Sequence, residues 1–494
     1  MNKRIFAFLC LALIVAFATV GVYPVAADAQ PAPQFIPSFA PTAGTDYLSI
    51  PAAAFEPASQ DYDYSNNGSV IKAFVGVDNY FRAPIYLPVG AKITDLAACF
   101  FDNTTANTGN LSLLTTDVNG AGIVPFLASI PSWNSSPNFG VAHYSGNLNV
   151  EIDQSNSYWV EYRLPPSDGT NNVWGCGVFI QYTPPATETG ILVIPSIPAF
   201  KPFEDGYNAG ITQSAGILKH YTTPAGAVEG TYLAQVSLPD GAQVNKMTLY
   251  YTDLNVTEDI NLHLVRSWQT TSTEMAVINS ENASYHGQST TAITSPVIDN
   301  HNYAYWAYVN MPANTSCTSC AFFAMTVEYA LPAADSGWVA ISNPAFTGLY
   351  DNYDYENHGR WLFHLHDESG GTITGSYFAP VNLPQGARVD SVEYSFFDNS
   401  ATKNGTAHLN RTKLGYGYEL SNASSGSGGD MYTTVVDTSI VNSIIDNSQY
   451  AYYVALNLPV SSTTAPPANT DVVGVRINIE YTEMSPVYLP LVRK

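Results

Sequence analysis

Charged side chains are scarce in this chain, and basic ones are the scarcest. Asp, Glu, Lys and Arg make up 12% of the 494 residues, and 41 acidic residues outnumber 18 basic ones, for a formal net charge of -23. Such a surface repels phosphate backbones and anionic lipids, which argues against nucleic acids and membrane surfaces as partners. Exposed helices normally carry many Lys and Glu, so their scarcity also argues against a helical fold.

Long apolar runs are missing after the amino terminus. Lys3 and Arg4 precede an apolar run from Ile5 to about Val22, and Ala27-Asp28-Ala29 follows. This order predicts a cleaved secretory signal over residues 1–29; a membrane anchor is the alternative, but the run is barely long enough to span. No later segment approaches the ~20 apolar residues of a spanning helix. We therefore expect a secreted, extracellular protein, free or associated with the cell surface, with no integral membrane segment in the mature chain.

Familiar catalytic motifs are also absent. The sequence has no GxSxG elbow, phosphate loop, dinucleotide fingerprint or HExxH zinc motif. Isolated Asp and Glu residues could still meet in space as a glycosidase pair, so a glycoside hydrolase or lyase stays open as a third hypothesis.

Tyrosine, by contrast, is abundant, with 33 copies, and Thr, Ser, Asn and Gly stand where Lys and Glu would normally be. Tyr, Thr and Val suit a half-buried pleated surface. This composition predicts an all-β protein.

One stretch occurs three times. It reads IYLPVGAKITDLAACFFDN from residue 85, VSLPDGAQVNKMTLYYTDLN from residue 236 and VNLPQGARVDSVEYSFFDN from residue 381. Gly90, Gly241 and Gly386 lie 151 and 145 residues apart, too far for a solenoid repeat. The period predicts three separate domains joined by short linkers, like beads. The predicted segments are a Pro-rich linker at 30–46, domains at 47–185, 186–332 and 333–484, and a tail at 485–494.

The repeated stretch reads as a turn and a strand. In LPxGA we expect a type I turn with Pro second and Gly fourth. Alternating residues such as Val392, Tyr394 and Phe396 predict a strand with one buried face. The opposite parity of Ile93, Val244 and Val389 predicts a bulge where each strand begins.

About eight short strands are expected in each domain, without a convincing helix. Antiparallel two-sheet sandwiches of jelly-roll type are the expected fold. Immunoglobulin-like sandwiches are the alternative, although their cysteine and tryptophan spacing is absent.

Four cysteines follow the signal segment, and in an exported protein an even count indicates disulfides. Cys317 and Cys320 predict a loop disulfide, with a redox CxxC site as the alternative. Cys99 and Cys176 fall in the same domain, but strand parity places Cys99 outward and Cys176 inward. Whether this pair is bridged stays open, because a bridge needs converging side chains.

Two acidic loops are candidate calcium sites. The candidate ligands are Asp61, Asp63, Asp351, Asp354 and Glu356. Oxygen-rich loops suit calcium, whereas ordinary solvated turns are the alternative. No cofactor other than calcium is expected.

Two histidines form a second candidate metal site. His364 and His366 alternate on one strand and could offer two imidazoles to a metal. A polar strand face is the alternative, since the sequence offers no recognisable third ligand. We also expect the other two domains to have no equivalent histidines.

One strand of each domain is aromatic on both faces. Trp159, Tyr305, Trp306 and Tyr452 are the candidates for a platform that stacks on sugar rings. The alternative is that this face covers a neighbouring sheet or domain.

The LPxGA turn, the aromatic strand and the closing V-x-I-x-Y strand resemble a repeat found in uncharacterised secreted bacterial proteins. The ending VYLPLVRK (487–494) is similar to the short tail of exported proteins in a group of filamentous bacteria. The resemblance implies tandem β-sandwich repeats and transfers no catalytic residue. The tail is interpreted as a surface-retention signal or as a last strand.

These observations favour a non-catalytic secreted or cell-surface repeat protein with an adhesive or structural role, since repetition rewards avidity. Its partner would be a cell-surface or extracellular polysaccharide, or further copies of itself. The alternative is a carbohydrate-binding protein that uses the aromatic strand, with or without calcium.

Overall fold

The structure is a computed structural model. It describes residues 45–58, 62–74, 78–104, 108–118, 126–132, 138–168, 172–185, 189–203, 218–220, 230–255, 257–268, 271–312, 320–331, 336–350, 353–367, 374–426, 431–460 and 472–483. The predicted signal, most of the predicted linker and the predicted tail lie outside these residues. No helix in the described part is long and apolar enough to cross a membrane.

The first domain is a sandwich of two antiparallel sheets. Its strands are β1 (Asp46–Ile50), β2 (Glu56–Pro57), β3 (Tyr64–Asn66), β4 (Ile71–Ala73), β5 (Asn79–Pro84), β6 (Lys92–Asp102), β7 (Asn110–Asp117), β8 (Phe126–Pro131), β9 (Asn138–His143), β10 (Val150–Glu151), β11 (Asn156–Leu164) and β12 (Val173–Thr183). One sheet has the order β10-β6-β12-β4-β3, with β1 also on β12 and β9 also on β6; the other has the order β2-β5-β11-β7-β8. A short 3-10 turn, Ala52–Ala54, follows β1.

The second domain repeats this plan. Its strands are β13 (Thr189–Pro195), β14 (Lys201–Pro202), β15 (Gly230–Gln235), β16 (Gln243–Asp253), β17 (Asn261–Trp268), β18 (Thr271–Asn279), β19 (Ala283–Thr290), β20 (Ala304–Met311) and β21 (Ala321–Ala330). The sheets have the orders β13-β21-β16-β19 and β14-β15-β20-β17-β18. A helical turn, Ser196–Ala199, follows β13.

The third domain repeats it again. Its strands are β22 (Ser336–Ile341), β23 (Thr347–Gly348), β24 (Tyr353–Asn357), β25 (Leu362–Asp367), β26 (Gly375–Val381), β27 (Arg388–Asp398), β28 (Thr406–Lys413), β29 (Tyr416–Ser424), β30 (Met431–Asp437), β31 (Ala451–Leu458) and β32 (Val472–Thr482). The sheets have the orders β24-β25-β32-β27-β30, with β22 also on β32, and β23-β26-β31-β28-β29. The 3-10 turn Asn343–Ala345 follows β22. The prediction of three all-β sandwich domains is confirmed.

The repeated stretch is the central strand of each domain, β6, β16 or β27, paired with the closing strand β12, β21 or β32. Val392, Tyr394 and Phe396 lie in the core, as predicted. Burying a side chain of this size stabilises the fold by about 1.5–3 kcal/mol. Each strand also bulges where it begins, next to Ile93, Val244 and Val389, which confirms the parity argument.

The turn before this strand differs from the prediction. The amide of Ala387 donates to the carbonyl of Pro384 at 3.2 Å, and the other two copies do the same. Pro is therefore first in the turn and Gly386 third, with φ at +78°. A positive φ at the third position belongs to a type II turn, and it explains why glycine is kept there.

The three domains are not separate beads, because residues 38–494 form one compact unit. The helical turn of each domain contacts the equivalent strand of another: Ala52–Ala54 contacts β26, Asn343–Ala345 contacts β15, and Ser196–Ala199 contacts β5. The first domain thus packs on the third, the third on the second, and the second on the first. One heterologous contact, repeated three times, closes a ring with pseudo-threefold symmetry.

Candidate functional site

The three domains meet at an ion pair. Glu56, Lys201 and Thr347 are equivalent residues, because each directly follows the Phe after the helical turn of its domain. Lys201 Nζ lies 2.6 Å from Glu56 Oε1, and the two side chains are only 16% and 18% exposed. The same ammonium donates to Thr347 Oγ1 at 2.8 Å and to the carbonyls of Ala345 and Phe346 at 3.1 and 3.3 Å. Thr347 Oγ1 in turn donates to Glu56 Oε1.

This junction was missed by sequence reasoning, yet a signal existed. An acidic residue, a basic residue and a hydroxyl occupy the same position of the three copies, which is the pattern that a meeting point on a pseudo-threefold axis would show. Because the three residues differ, they also distinguish the three positions of the ring.

A small cleft lies beside the ion pair. Residues of all three domains line it, among them Leu48, Tyr86, Pro198, Gln235 and Pro344. Its volume is about 50 Å³, whereas ligand pockets usually measure about 300–1,000 Å³. The cleft therefore belongs to the packing of the ring and offers no room for an organic substrate.

Each of the two segments predicted as acidic loops contains a β-hairpin. Strand β3 pairs with β4 in the first domain, and β24 pairs with β25 in the third. Gly68 and Gly359 turn these hairpins at φ +80° and +74°, and each amide donates to the preceding Asn66 or Asn357 side chain at 3.0 or 3.1 Å. Asp63 and Asp354 each lie five residues before the glycine of the turn, because the two domains use the same hairpin.

Each hairpin docks on an aromatic ring of another domain. A Cβ atom at Gly68 would lie 2.5 Å from the ring of Tyr453, and one at Gly359 would lie 2.8 Å from the ring of Trp306. Ser69 Oγ and Tyr453 OH are 3.1 Å apart. We call β3–β4 and β24–β25 the docking hairpins. Glycine is needed at their tips for close approach as well as for the positive φ.

The hairpins change the setting of the calcium candidates. Asp61 and Asp351 lie outside the described residues, and Asp354 and Glu356 lie on strand β24, with side chains outside the described set. Asp63 is half-buried and accepts a hydrogen bond from the Phe74 amide through its backbone carbonyl at 3.0 Å. The described residues contain no group of three or more His, Cys, Asp or Glu that could hold a metal ion. Calcium binding stays a prediction.

The predicted aromatic platform is not open to solvent. Tyr305 and Tyr452 point into the cores of their domains, while Trp159 is 2% exposed and Trp306 is 7% exposed. Trp306 packs with Leu233 and Val265 on the outer face of its sheet, beneath the docking hairpin of the third domain. The interpretation of these four residues as a bare sugar platform is therefore wrong, since the cores and the neighbouring domains bury them.

Burial also sets the ionisation of the two core tyrosines. The hydroxyl oxygens of Tyr305 and Tyr452 accept hydrogen bonds from the amides of Asp299 and Asp446 at 2.8 Å. Removal from water raises the pKa of each to about 12 despite these bonds. The two tyrosines thus anchor the turns that begin at Asp299 and Asp446 to the cores of their domains.

His364 is part of the core and not of a surface metal site. It is fully buried, and Nδ1 lies 2.8 Å from Tyr377 OH. The second domain has the same arrangement, with His220 Nδ1 2.9 Å from Tyr232 OH, so the expectation that the other domains lack equivalent histidines is wrong for the second domain. The shared pattern Leu-x-His, at 218–220 and 362–364, was the missed signal. The side chain of His366 lies outside the described residues.

A buried Asp–Ser pair recurs in every domain. Ser132 Oγ donates to Asp102 Oδ2 at 2.5 Å, and Ser280 and Ser425 donate in the same way to Asp253 and Asp398. Each Asp also accepts from a backbone amide two residues later, and each Ser oxygen accepts from the amide that opens the next strand. Through these hydrogen bonds the carboxylates join the two sheets of each sandwich.

The Cys99–Cys176 disulfide is present, with Cα atoms 5.0 Å apart. Strand parity was misleading because β12 bulges at this point. Gly175 pairs with Phe100 and Gly177 pairs with Cys99, so Cys176 is the extra residue and turns to the same face as Cys99. Phe323 and Val475 are the extra residues of the same bulge in the other domains. The inward placement of Cys176 from strand parity was therefore wrong.

Cys320 also takes part in a disulfide. Cys317, the partner predicted from the sequence, lies outside the described residues. The pairing of Cys320 with Cys317 therefore stays a prediction.

Comparisons with solved structures give matches at very low sequence identity and with low TM-scores. No protein-family model matches the chain, and no characterised protein matches it by sequence. An archaeal virus protein described by its triple jelly roll fold and turret assembly is 12% identical, with 92% of this chain and 99% of that chain covered and a TM-score of 0.20. The CBM22-1-CBM22-2 tandem of Paenibacillus barcinonensis Xyn10C is 9% identical, with 58% and 97% covered and a TM-score of 0.21. Allantoicase from Saccharomyces cerevisiae is 8% identical, with 57% and 93% covered and a TM-score of 0.21. Scores this low carry no argument about ligand or activity.

Proposed function

We propose that this chain is a non-catalytic extracellular protein with a structural or adhesive role, secreted and retained at or near the cell surface. The observation that carries the proposal is the closed ring. Each described docking hairpin covers an aromatic ring of another domain, so the repeats build one body and are not three separate binding modules.

The chemistry of the described side chains supports this role. The recurrent carboxylates Asp102, Asp253 and Asp398 hold turns and serines inside the sandwiches. The disulfide of the first domain suits an oxidising compartment outside the cytosol.

Carbohydrate binding is the second candidate, and it needs a surface other than the buried aromatic strand. Half-exposed tyrosines on strand β29 favour it, since Tyr416 and Tyr418 are 47% and 49% exposed.

The role can be tested with the purified mature chain. We expect it to bind whole cells or cell-wall polymers of its host and to leave soluble polysaccharides intact, as measured by pull-down and by the release of reducing sugar. Polymer breakdown that disappears when one carboxylate is changed to its amide would overturn the proposal.

A further inference from the structure

Two basic side chains of the third domain lie side by side with tyrosine rings. The guanidinium carbon of Arg411 lies 4.1 Å from the ring centre of Tyr450 and 5.9 Å from that of Tyr418, and Lys413 Nζ lies 5.2 Å from the ring centre of Tyr450. Cross-strand pairing sets Arg411 opposite Tyr418 and Lys413 opposite Tyr416. We call Arg411, Lys413, Tyr416, Tyr418 and Tyr450 the cationic tyrosine cluster.

Neither cation of this cluster forms an ion pair with a carboxylate among the described residues, and Lys413 Nζ donates instead to the side-chain carbonyl of Gln449 at 2.8 Å. The two carboxylates nearby are engaged elsewhere: Glu419 binds His408 and Asn422, and Asp446 binds Ser448. Other basic side chains of the protein do form ion pairs, namely Arg82–Glu161, Arg163–Asp78, Lys201–Glu56, Lys246–Glu328 and Arg388–Asp390. Arg411 and Lys413 thus place two adjacent cations without an ion pair in a chain with 41 acidic and 18 basic residues.

The donors of Arg411 are also unused. Its Nε atom is buried without a hydrogen-bond acceptor, and no hydrogen bond joins its guanidinium to any residue that the structure describes. Burial lowers the pKa of Lys413, the Asp446 carboxylate opposes this shift, and the charge of Arg411 adds to it. The two terminal nitrogens of this guanidinium are not among the buried atoms, so their parallel N–H groups, beside a second cation, can hold a carboxylate in two hydrogen bonds.

The second domain holds a simpler version. Arg266 lies 4.4 Å from the ring centre of Tyr303, and its Nε atom is likewise buried without an acceptor. Trp268 stands at the position of Lys413, so the second cation is missing there. The third domain alone, among the described residues, combines both cations with two half-exposed rings.

We propose that the cationic tyrosine cluster binds a carboxylate-bearing sugar, such as a uronic acid residue of an acidic polysaccharide. The sugar ring would stack on Tyr418 while its carboxylate meets Arg411 and Lys413. One carboxylate on a short oligosaccharide is repelled by the acidic surface less than a dense polyphosphate is, which favours a sugar acid over a nucleic acid. This inference goes beyond the structural role, which would stand if the cluster bound nothing.

The test is calorimetric titration of the full mature chain with a short galactose oligosaccharide that carries a single galacturonate residue, the neutral galactose oligosaccharide of equal length and inorganic phosphate. We expect the uronate to bind at least about tenfold more tightly than the neutral sugar, since a charge-assisted hydrogen bond is lost with the carboxylate. Arg411→Met should weaken uronate binding about tenfold or more, and Arg411→Lys should restore only part of it because the fork is lost.

Matched variants separate binding from folding. Tyr418→Ala removes a half-exposed ring and should weaken uronate binding about fivefold without moving the thermal unfolding midpoint. Tyr285→Ala, at a ring of the second domain that is 57% exposed, and Arg388→Met, at an arginine already paired with Asp390, should leave binding unchanged. Equal binding of the neutral sugar or of phosphate, no uronate binding at millimolar concentration, or full binding by Arg411→Met would each overturn the proposal.

Discussion

Aromatic side chains are used in two different ways in this molecule. Trp306 and Tyr453 lie beneath docking hairpins of other domains, where glycine tips press against their rings. Tyr418 lies on the edge strand β29 and keeps about half of its surface in water, whereas Tyr416 on the same strand also packs on Phe139 of the first domain, with ring centres 5.5 Å apart. The difference teaches that aromatic side chains serve assembly at the inner contacts of the ring and stay half-exposed at an edge.

The largest effect is expected where an inner ring is removed. Trp306→Ala deletes a side chain that fills the contact between the second and third domains, so we expect a loss of about 3–5 kcal/mol in the free energy of unfolding. Urea denaturation at neutral pH measures it. Trp268→Ala is the control, because that side chain is 45% exposed, and it should change the free energy by less than about 0.5 kcal/mol. Similar losses in both variants would contradict the comparison.

A smaller effect is expected at the junction. Lys201→Met leaves Glu56 and two carbonyls without their cation, which should lower the free energy of unfolding by about 2 kcal/mol. Glu56→Met in addition should recover part of that loss, because no charge is then left unpaired.

The control for this pair is Lys246→Met, which breaks an ion pair within one domain whose side chains are 35% and 36% exposed. We expect a change of about 0.5 kcal/mol or less. If Lys201→Met lowered the free energy of unfolding no more than Lys246→Met does, the Lys201–Glu56 contact would contribute no more than a surface ion pair.

The smallest effect at neutral pH is expected from Tyr452→Phe, which removes one hydrogen bond to the Asp446 amide at a cost of about 1 kcal/mol. Burial raises the pKa of Tyr452 from 10.0 to about 12, so the unfolded chain loses this proton first. The contribution is therefore complete below pH 10 and lost as the pH rises from 10 to about 12. Between pH 9 and pH 11, the free energy of unfolding measured with urea should fall less for Tyr452→Phe than for the unmodified chain. An identical fall in both proteins would contradict the raised pKa of Tyr452.

Much of the fold was predictable because it depends on local sequence patterns. Alternation placed Val392, Tyr394 and Phe396 in the core, and reversed parity at Val389 predicted a real bulge. The second bulge, at Cys176, escaped because parity was read in a strand whose partner register was unknown.

The candidate sites were harder to predict because they depend on contacts between domains. Trp306 has the composition of a sugar platform, and only the position of Gly359 shows that another domain covers it. Lys201 and Glu56 lie 145 residues apart in sequence, and no local pattern announces their contact. The cationic tyrosine cluster likewise depends on which carboxylates are already engaged, which only side-chain geometry reveals.

The central claim is that the ring closes between the first and the third domain, which are the two ends of the repeat. Ser65 and Tyr350 are partners in an isolated antiparallel bridge across this contact, and the Asn66 amide donates to the Leu349 carbonyl at 2.9 Å. Residues so paired lie within disulfide reach, so Ser65→Cys with Tyr350→Cys should cross-link on its own. Peptide mass spectrometry under non-reducing conditions should find that bridge in the monomer, while Ser65→Cys paired with Val436→Cys should give none. A folded Ser65→Cys, Tyr350→Cys variant with both new thiols free would contradict ring closure.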